Sequence, residues 1–429
     1  MELENAISKI KKVGNYPSPF VSPKIKEKKE YGLSYFKRMY YDWKDNHEQN
    51  VDSKKARYAK ARSYAQGSQN VAKYKDLLDV EGDSSYLNLD WTPVNIIPKF
   101  LDLIVNDLAN QEYEIQANAI DPLSITQREK DKLKMFAQMI TMPSLQEMVK
   151  VTGYNVEQKG YIPRTQEELD LHMNLNYKQA TEISMEKGIK FVMDMNDFEA
   201  TKKAVIRDLT VCGVGACKTQ LDPNTGVKIK YVDPSNLITS YSNREDFSDI
   251  QHAGEVYTMT IGELKRIAGD QLSEVDYEKI ASEYAGKNQN NDISPNQESY
   301  LNQFDYEFEY DKYRVTVLDA EFFSTNELKY EKKKNAYGGY SLNKKPHDYK
   351  KPKTSKFERE LIATSVKVVY SGKWIVGTDY IINYGLAKNM MRNKSNLTET
   401  KLSYVVYAPG VHRMINKSLV DRMIPFADQ

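Results

Sequence analysis

Between Val211 and Ala216 the hydrophobic period of this chain changes from helical to alternating. A period of 3.6 and a period of 2 place side chains on incompatible faces, so the two sides of this boundary cannot share one kind of secondary structure. Before it stands Thr165-Gln166-Glu167-Glu168, a capping box in which the Thr hydroxyl takes an amide and Glu168 returns to the cap. The helix it opens is expected to run near Met195, roughly thirty residues or about 45 Å. Asp197 is expected to cap a second helix reaching Val211. Two long consecutive helices predict a rod or wall. After the boundary, Ala216–Leu221 and Val227–Val232 flank Asp222-Pro223-Asn224-Thr225-Gly226, a turn signal. Val227, Ile229 and Tyr231 alternate with Lys228 and Lys230, and Asp233-Pro234 closes the hairpin. The expected fold class is α+β: long, wall-like helices with small antiparallel β-hairpin regions.

The rest of the chain falls into order around this core. Residues 1–90 read as an N-terminal arm followed by an aromatic helix from Tyr31 to Asn50 and a basic helix carrying Arg57, Lys60 and Arg62. Residues 91–285 read as a helical core containing the hairpin 216–232. Within it, Val94, Ile97, Leu101, Ile104, Val105 and Leu108 recur at helical spacing. Asn95 can cap that helix, and Pro98 falls in its first turn, where a missing N–H costs little. Tyr113–Ala117 alternates like a short strand, residues 124–140 predict a helix ending before Pro143, and 260–285 predict a further helix. The Asn/Gln/Ser-rich residues 286–303 are the expected linker. Residues 304–410 form a strand-rich, Lys/Tyr-rich region: a strand over 312–325, a hairpin of Val366–Tyr370 and Trp374–Val376 about Ser371-Gly372, and a last strand over Leu402–Tyr407. Residues 411–429 begin another helix at Leu419, which suggests the front part of a longer protein.

Charge is balanced overall and uneven locally. The 429 residues carry 61 Lys+Arg and 60 Asp+Glu, net +1, which excludes a strongly cationic nucleic-acid binder and an acidic tail protein. Residues 297–311 nevertheless hold five acids (Glu298, Asp305, Glu307, Glu309, Asp311) and no Lys or Arg. Residues 329–359 hold eleven Lys/Arg against three acids, net +8. Tyr330, Tyr337, Tyr340 and Tyr349 lie among those lysines. Lysines neutralise phosphates and tyrosines stack on bases or sugars. Candidate DNA or partner contacts are therefore Arg57, Lys60, Arg62, Lys332, Lys333, Lys334, Lys344, Lys345, Lys350 and Lys351. The alternative for the second group is a solvated loop, or one that pairs with 297–311 of its own or a neighbouring copy. The 31 tyrosines, about 7% of the chain, suit surfaces that are partly dry and partly wet, or reflect plain compositional bias.

Catalytic chemistry is not legible. Cys212 and Cys217 match neither a CxxC redox pair nor a common zinc spacing, and two cysteines make no disulfide framework. That usage suits a reducing compartment. His47, His172, His252, His347 and His412 are scattered, HExxH is absent, and no GxxxxGK[ST] occurs. Gly213-Val214-Gly215 is half of a dinucleotide fingerprint followed by a strand, so the glycines are expected to ease a helix-to-strand turn. Asp194 and Asp197 are expected to serve as caps, and Cys212 as a buried structural residue. No cofactor or metal is implied. Mean hydropathy is −0.67 and no stretch approaches eighteen uninterrupted apolar residues, so no membrane span is expected. The first residues lack the basic and apolar regions of a signal peptide.

Several segments together resemble portal proteins of tailed bacteriophages, most closely those of crAss-like phages. They are Asn95–Asn110 followed by Tyr113–Asp121, the helix Tyr177–Asp194, and above all Cys212–Gly226 through Val232-Asp233-Pro234-Ser235-Asn236. The last is similar to the family's pattern of glycine, strand, Asp-Pro turn, strand and Val-Asp-Pro. His252–Leu264 continues it, and the likeness covers about 90–270. The resemblance implies a non-enzymatic ring of twelve copies at one capsid vertex, assembled in the host cytoplasm. Double-stranded DNA is packaged through its axis by a separate terminase and later ejected, and the ring meets the major capsid protein and tail or adaptor proteins. Near-zero net charge suits such a conduit, because a strongly cationic bore would grip phosphates and stall the duplex. Competing readings are another virion structural protein or tail adaptor, and an unrecognised nucleic-acid-processing enzyme.

Overall fold

A computed structural model describes residues 16–19, 21–47, 53–68, 96–153, 161–222, 226–285, 313–334, 339–346, 349, 359–388, 390–393, 396–411 and 414–427. The expected linker 286–303, the acidic stretch 297–311, Asn95, and most of the arm 1–30 lie outside them. The chain is α+β, as its change of period predicts. It divides into two units, residues 1–109 with 201–429, and residues 110–200.

The larger unit is built on antiparallel sheets. Strands β1 (Gly215–Asp222) and β2 (Gly226–Val232) form the expected hairpin, and β11 (Tyr404–Tyr407) pairs with the other edge of β1. A second sheet runs in the order β3 (Leu237–Thr239), β4 (His252–Thr260), β5 (Arg314–Lys334), β7 (Arg359–Ile375), β8 (Ile381–Leu386), with β6 (Tyr340–Lys345) on the distal part of β5. Strands β9 (Met391–Asn393) and β10 (Asn396–Lys401) pair separately. Helix Lys29–His47 lays Tyr31, Tyr35, Phe36 and Met39 on the large sheet, where the Tyr35 and Phe322 rings stack 3.8 Å apart. On a second cluster, Ile261, Leu264, Tyr277 and Ile280 cover Val315, Val317 and Ile375. Helix Lys54–Ala65 packs Tyr58, Ala61, Tyr64 and Ala65 with Ile97, Leu101, Val406, Val420 and Ile424.

Three expectations in this unit are corrected. The hairpin about Ser371-Gly372 is absent: β7 is one strand of 17 residues, and Gly372 pairs with Ala320 in mid-ladder. A Cβ on Gly372 would stand 3.1 Å from Phe36 and 3.2 Å from Tyr384, so this glycine serves the close approach of a helix to the sheet and not a turn. The strand expected over 312–325 continues to Lys334, because Leu328 and Tyr330 keep the alternation going through the lysines. The helix over 260–285 is two, Ile261–Ala268 and Glu274–Ala285, parted by Gly269 at φ +53°. Thr260 opens the first with a capping box to Glu263.

The smaller unit is helical. Helix Pro122–Thr152, 31 residues, starts under Asp121, which accepts from the Ser124 amide at 3.2 Å, and stops at Gly153 in the left-handed region. It passes through Pro143, where an end was expected. Proline deletes the bond to the carbonyl four residues back, and at this exposed position water can serve that group. The single long helix expected from Gln166 to Met195 is also two, Gln166–Leu175 and Ala180–Met195. Thr165 caps the first as expected, taking the Glu168 amide at 3.2 Å. The second begins afresh because Glu182 turns back to the Gln179 amide at 2.8 Å, forming a capping box of its own. The same carboxylate accepts from Ala119 N at 2.8 Å, and Glu186 accepts from Ala117 N at 3.0 Å. A helix carboxylate thus takes the Ala117 amide, and residues 113–117 form no strand. Helix Phe198–Val211 follows Asp197, at φ +46°, and from Thr201 on it belongs to the larger unit.

Candidate functional site

The first basic segment is the helix Lys54–Ala65, capped by Ser53, whose hydroxyl accepts from the Ala56 amide at 3.2 Å. Its apolar stripe is buried, which leaves Arg57, Lys60 and Arg62 at the edges. Arg62 turns inward. It reaches Asp233 at 2.7 and 3.2 Å, Ser235 Oγ at 3.0 Å and Asp208 at 3.4 Å, while the Tyr231 hydroxyl donates to Asp208. Burial works against the Asp233 charge, and the Arg62 and Ser235 hydrogen bonds overturn it, holding that carboxyl below its ordinary value. At Asp208 burial prevails over Tyr231 and Arg62, and the carboxyl is raised. Arg57 bonds the Asn416 carbonyl at 2.8 Å and Asp421 at 3.1 Å. Lys60 stays exposed, 5.7 Å above the Tyr64 ring. Of the three candidates on this helix, two tie the helix to the Val-Asp-Pro turn and to the C-terminal helix Leu419–Ala427, and Lys60 alone faces solvent.

The second basic segment is the distal ribbon β6–β5–β7. Cross-strand partners share a face. Leu328, Tyr330 and Lys332 of β5 stand with Leu342 and Lys344 of β6 and Glu360, Ile362 and Thr364 of β7. On the other face, Lys329, Glu331 and Lys333 stand with Ser341, Asn343, Lys345, Leu361 and Ala363. That face is knitted together: Glu331, 3% exposed, takes Lys345 at 3.1 Å and the Tyr349 hydroxyl at 2.6 Å, with Lys345 4.9 Å over the Tyr349 ring. Lys332 is 3.8 Å from Glu360 and 4.5 Å over the Tyr340 ring, and Lys344 is exposed. Lys333 is half-buried, and the backbone of Lys334 pairs with Tyr340. Lys350 and Lys351 lie outside the described residues. Four of the expected lysines, 332, 333, 344 and 345, thus share one ribbon but two faces.

A third charged group was missed by sequence reasoning. Asp319 Oδ2 sits 2.8 Å from Lys218 Nζ and 2.7 Å from Lys373 Nζ, deep between the two larger sheets. Lys218 also donates to the Tyr404 hydroxyl at 3.0 Å, which donates on to the Asp319 carbonyl at 2.8 Å. Lys373 donates to the Tyr257 hydroxyl at 3.0 Å. Burial opposes the Asp319 charge, but two lysines hold its carboxyl well below the ordinary range. Nearby, Glu321 accepts from Ser403 N at 2.9 Å and Ser403 Oγ at 2.6 Å. The signal was present as lone charges in apolar phase: Lys218 beside Ala216, and Asp319 among Val315, Val317 and Leu318. This group fixes the register of one sheet on the other.

Of the remaining candidates, His347 and His412 lie outside the described residues. Burial pushes the Cys212 thiol up to about 12, where it stays protonated. Burial lowers His252 to about 4, and its ring stacks on Tyr16 at 5.8 Å. Gly213 at φ +78° faces Asn416, whose amide donates to its carbonyl, and a Cβ on Gly215 would meet Val205 at 2.8 Å. Both glycines serve packing. Among the described residues no group of three His, Cys, Asp or Glu could hold a metal, and no helix is long and apolar enough to cross a membrane.

The parts amount to an α+β scaffold that presents long helices, a basic ribbon and internally satisfied charges: the portal-like fold class. Residues 178–391, just under half of the chain, match the model of a family described as Phage P22-like portal protein. The match overlaps the sequence resemblance over 178–270 and extends through the ribbon, a region in which the sequence resemblance offered no support. It supports a structural, phage-portal role. No curated protein matches the chain.

Proposed function

We propose that this chain is a portal protein of a tailed phage, working as a ring at one capsid vertex through which double-stranded DNA is packaged and later ejected. The family match over 178–391 carries the reading. The structure lends a physical reason for several copies. Helix Pro122–Thr152 has no buried residue, and Leu123, Leu133, Ile140, Met148 and Val151 are each more than half exposed. Surface of that kind marks an interaction site. A ring of twelve, kinship with the portals of crAss-like phages, docking of terminase, capsid and tail proteins, and assembly in the host cytoplasm complete the proposal; they rest on the resemblance.

In this reading the protein's task is passage, not chemistry. Lys60, the ribbon lysines Lys332, Lys333, Lys334, Lys344 and Lys345, and Lys350 and Lys351 remain candidate contacts, while Arg57 and Arg62 would act on partners only through the turns they hold. With net +1 per copy, duplex binding should be weak at physiological salt and fall with added salt. Sedimentation velocity over a concentration series, with and without duplex, tests the proposal. Discrete multi-copy species that hold duplex loosely are expected. A strict monomer with sequence-specific, nanomolar DNA affinity would contradict it.

A further inference from the structure

Among the described residues, one edge of β5 has no strand partner between the end of β4 and the start of β6. The β4 ladder ends at His252 opposite Phe322, and the β6 ladder starts at Lys345 opposite Lys329. The N-terminal segment crosses this gap. Lys26, 0% exposed, donates its ammonium to the Thr325 carbonyl at 2.6 Å and to Asn326 Oδ1 at 3.2 Å. A side chain thus supplies the donor that a neighbouring strand would have given. The Tyr384 hydroxyl of β8 donates to the Lys26 carbonyl at 2.6 Å, so this end of the segment is firmly seated.

The other end is held more lightly, and by groups that titrate. Tyr16, Ser18 and Pro19 are exposed, yet the Tyr16 ring stacks on His252 at 5.8 Å and meets Tyr35 edge-on at 5.0 Å. The Tyr31 hydroxyl donates to the Ser18 carbonyl at 3.1 Å. His252 is buried between Tyr16 of this segment and Tyr35 of helix Lys29–His47, with Phe322 across the ladder. The charge acting on its ring is Asp42 of the same helix, which pairs with Arg38 at 2.7 Å. Asp42 is also the hydrogen-bond partner of the Tyr16 hydroxyl, which burial and that carboxylate keep protonated. The carboxylate that holds Tyr16 is therefore the one that an imidazolium at His252 attracts.

We propose that residues 16–19 form an acid-released strap: when His252 takes a proton from solvent it draws Asp42 from the Tyr16 hydroxyl, and the strap lifts from the large sheet while Lys26 keeps the other end seated. The direction follows from burial. With the strap down, burial lowers His252 from an ordinary 6.5 to about 4. With the strap lifted, one face of the ring meets water and the value moves back toward the ordinary one. The lifted form binds a proton that the closed form refuses, so opening becomes more favourable as pH falls from 6.5 to 4. The strap works within one copy and stands or falls independently of the ring.

A thiol placed under the strap tests it. Ser324, 3% exposed, lines a cavity of about 360 Å³ together with Pro19 and Gln251. In the Ser324→Cys chain, the rate of reaction with iodoacetamide is divided by the rate for the same thiol in urea-unfolded protein at the same pH. That ratio reads the open fraction, because a covered thiol reacts only while uncovered. It should rise about tenfold from pH 7.5 to 5.0 and stay flat in low urea, the mark of local opening. Adding His252→Phe should abolish the rise, and adding Tyr16→Ala should raise the ratio already at pH 7.5. A ratio that ignores pH, or one that rises as much in the His252→Phe variant, overturns the proposal. So does a Tyr16→Ala variant whose thiol reacts as slowly at pH 7.5 as before.

Discussion

At the scale of single residues, the charged side chains separate by what they touch. Arg62 holds two carboxylates and a serine and is only about one-third exposed, so Arg62→Ala leaves Asp208 and Asp233 repelling each other in partial burial. It should cost about 2 kcal/mol by urea unfolding, whereas Lys60→Ala should cost under about 0.5 kcal/mol. His252 gives a pH signature. Its folded value is lowered to about 4 from an ordinary 6.5, because burial disfavours the imidazolium and Asp42 only partly offsets that. Below pH 6.5 the unfolded chain binds a proton that the folded chain refuses, so stability falls as pH drops and levels off near pH 4. The loss attributable to this group is up to about 3 kcal/mol. His252→Phe keeps a ring between Tyr16 and Tyr35 and should flatten that part of the profile when unfolding midpoints are compared from pH 7.5 to 4.5. An unchanged slope would remove His252 as the cause.

At the scale of elements, the parts legible in the sequence were those whose signals are local. The hairpin 216–232 was readable from alternation and a Pro-Asn-Thr-Gly turn, the helix after Thr165 from its cap, and the helix 54–65 from its basic residues. What failed depended on distant partners. Gly372 looked like a turn because nothing nearby in sequence announces Phe36. Residues 113–117 looked like a strand from their alternation, but the Ala117 amide goes to Glu186, more than sixty residues away, and nothing nearby in sequence announces it. Among the candidate contacts, Arg57 and Arg62 were readable as charges but not as inward-facing ones, since Asp421 and Asp233 come from elsewhere in the chain. Gly254 extends the lesson: a Cβ there would stand 2.6 Å from Ala320 Cβ and 2.9 Å from the Asp319 carbonyl. Gly254→Ala should force β4 from β5 and lower stability by about 1–3 kcal/mol in thermal or urea unfolding.

At the scale of the whole molecule, the chain exposes more organised apolar surface than a lone soluble chain needs, on the helices of 110–200 and, in the larger unit, on the ribbon and helix Ile97–Ala109. At Asp319 two lysines neutralise a buried charge within the fold. Association should therefore be driven by apolar burial and steered by local charge. Raising salt from 0.05 to 0.5 M should slow assembly measured by light scattering while leaving its final extent largely intact. Single-particle images of the purified protein at micromolar concentration test the central claim most directly. Closed rings with an open axial hole are predicted; isolated single copies, or filaments without closure, would contradict it.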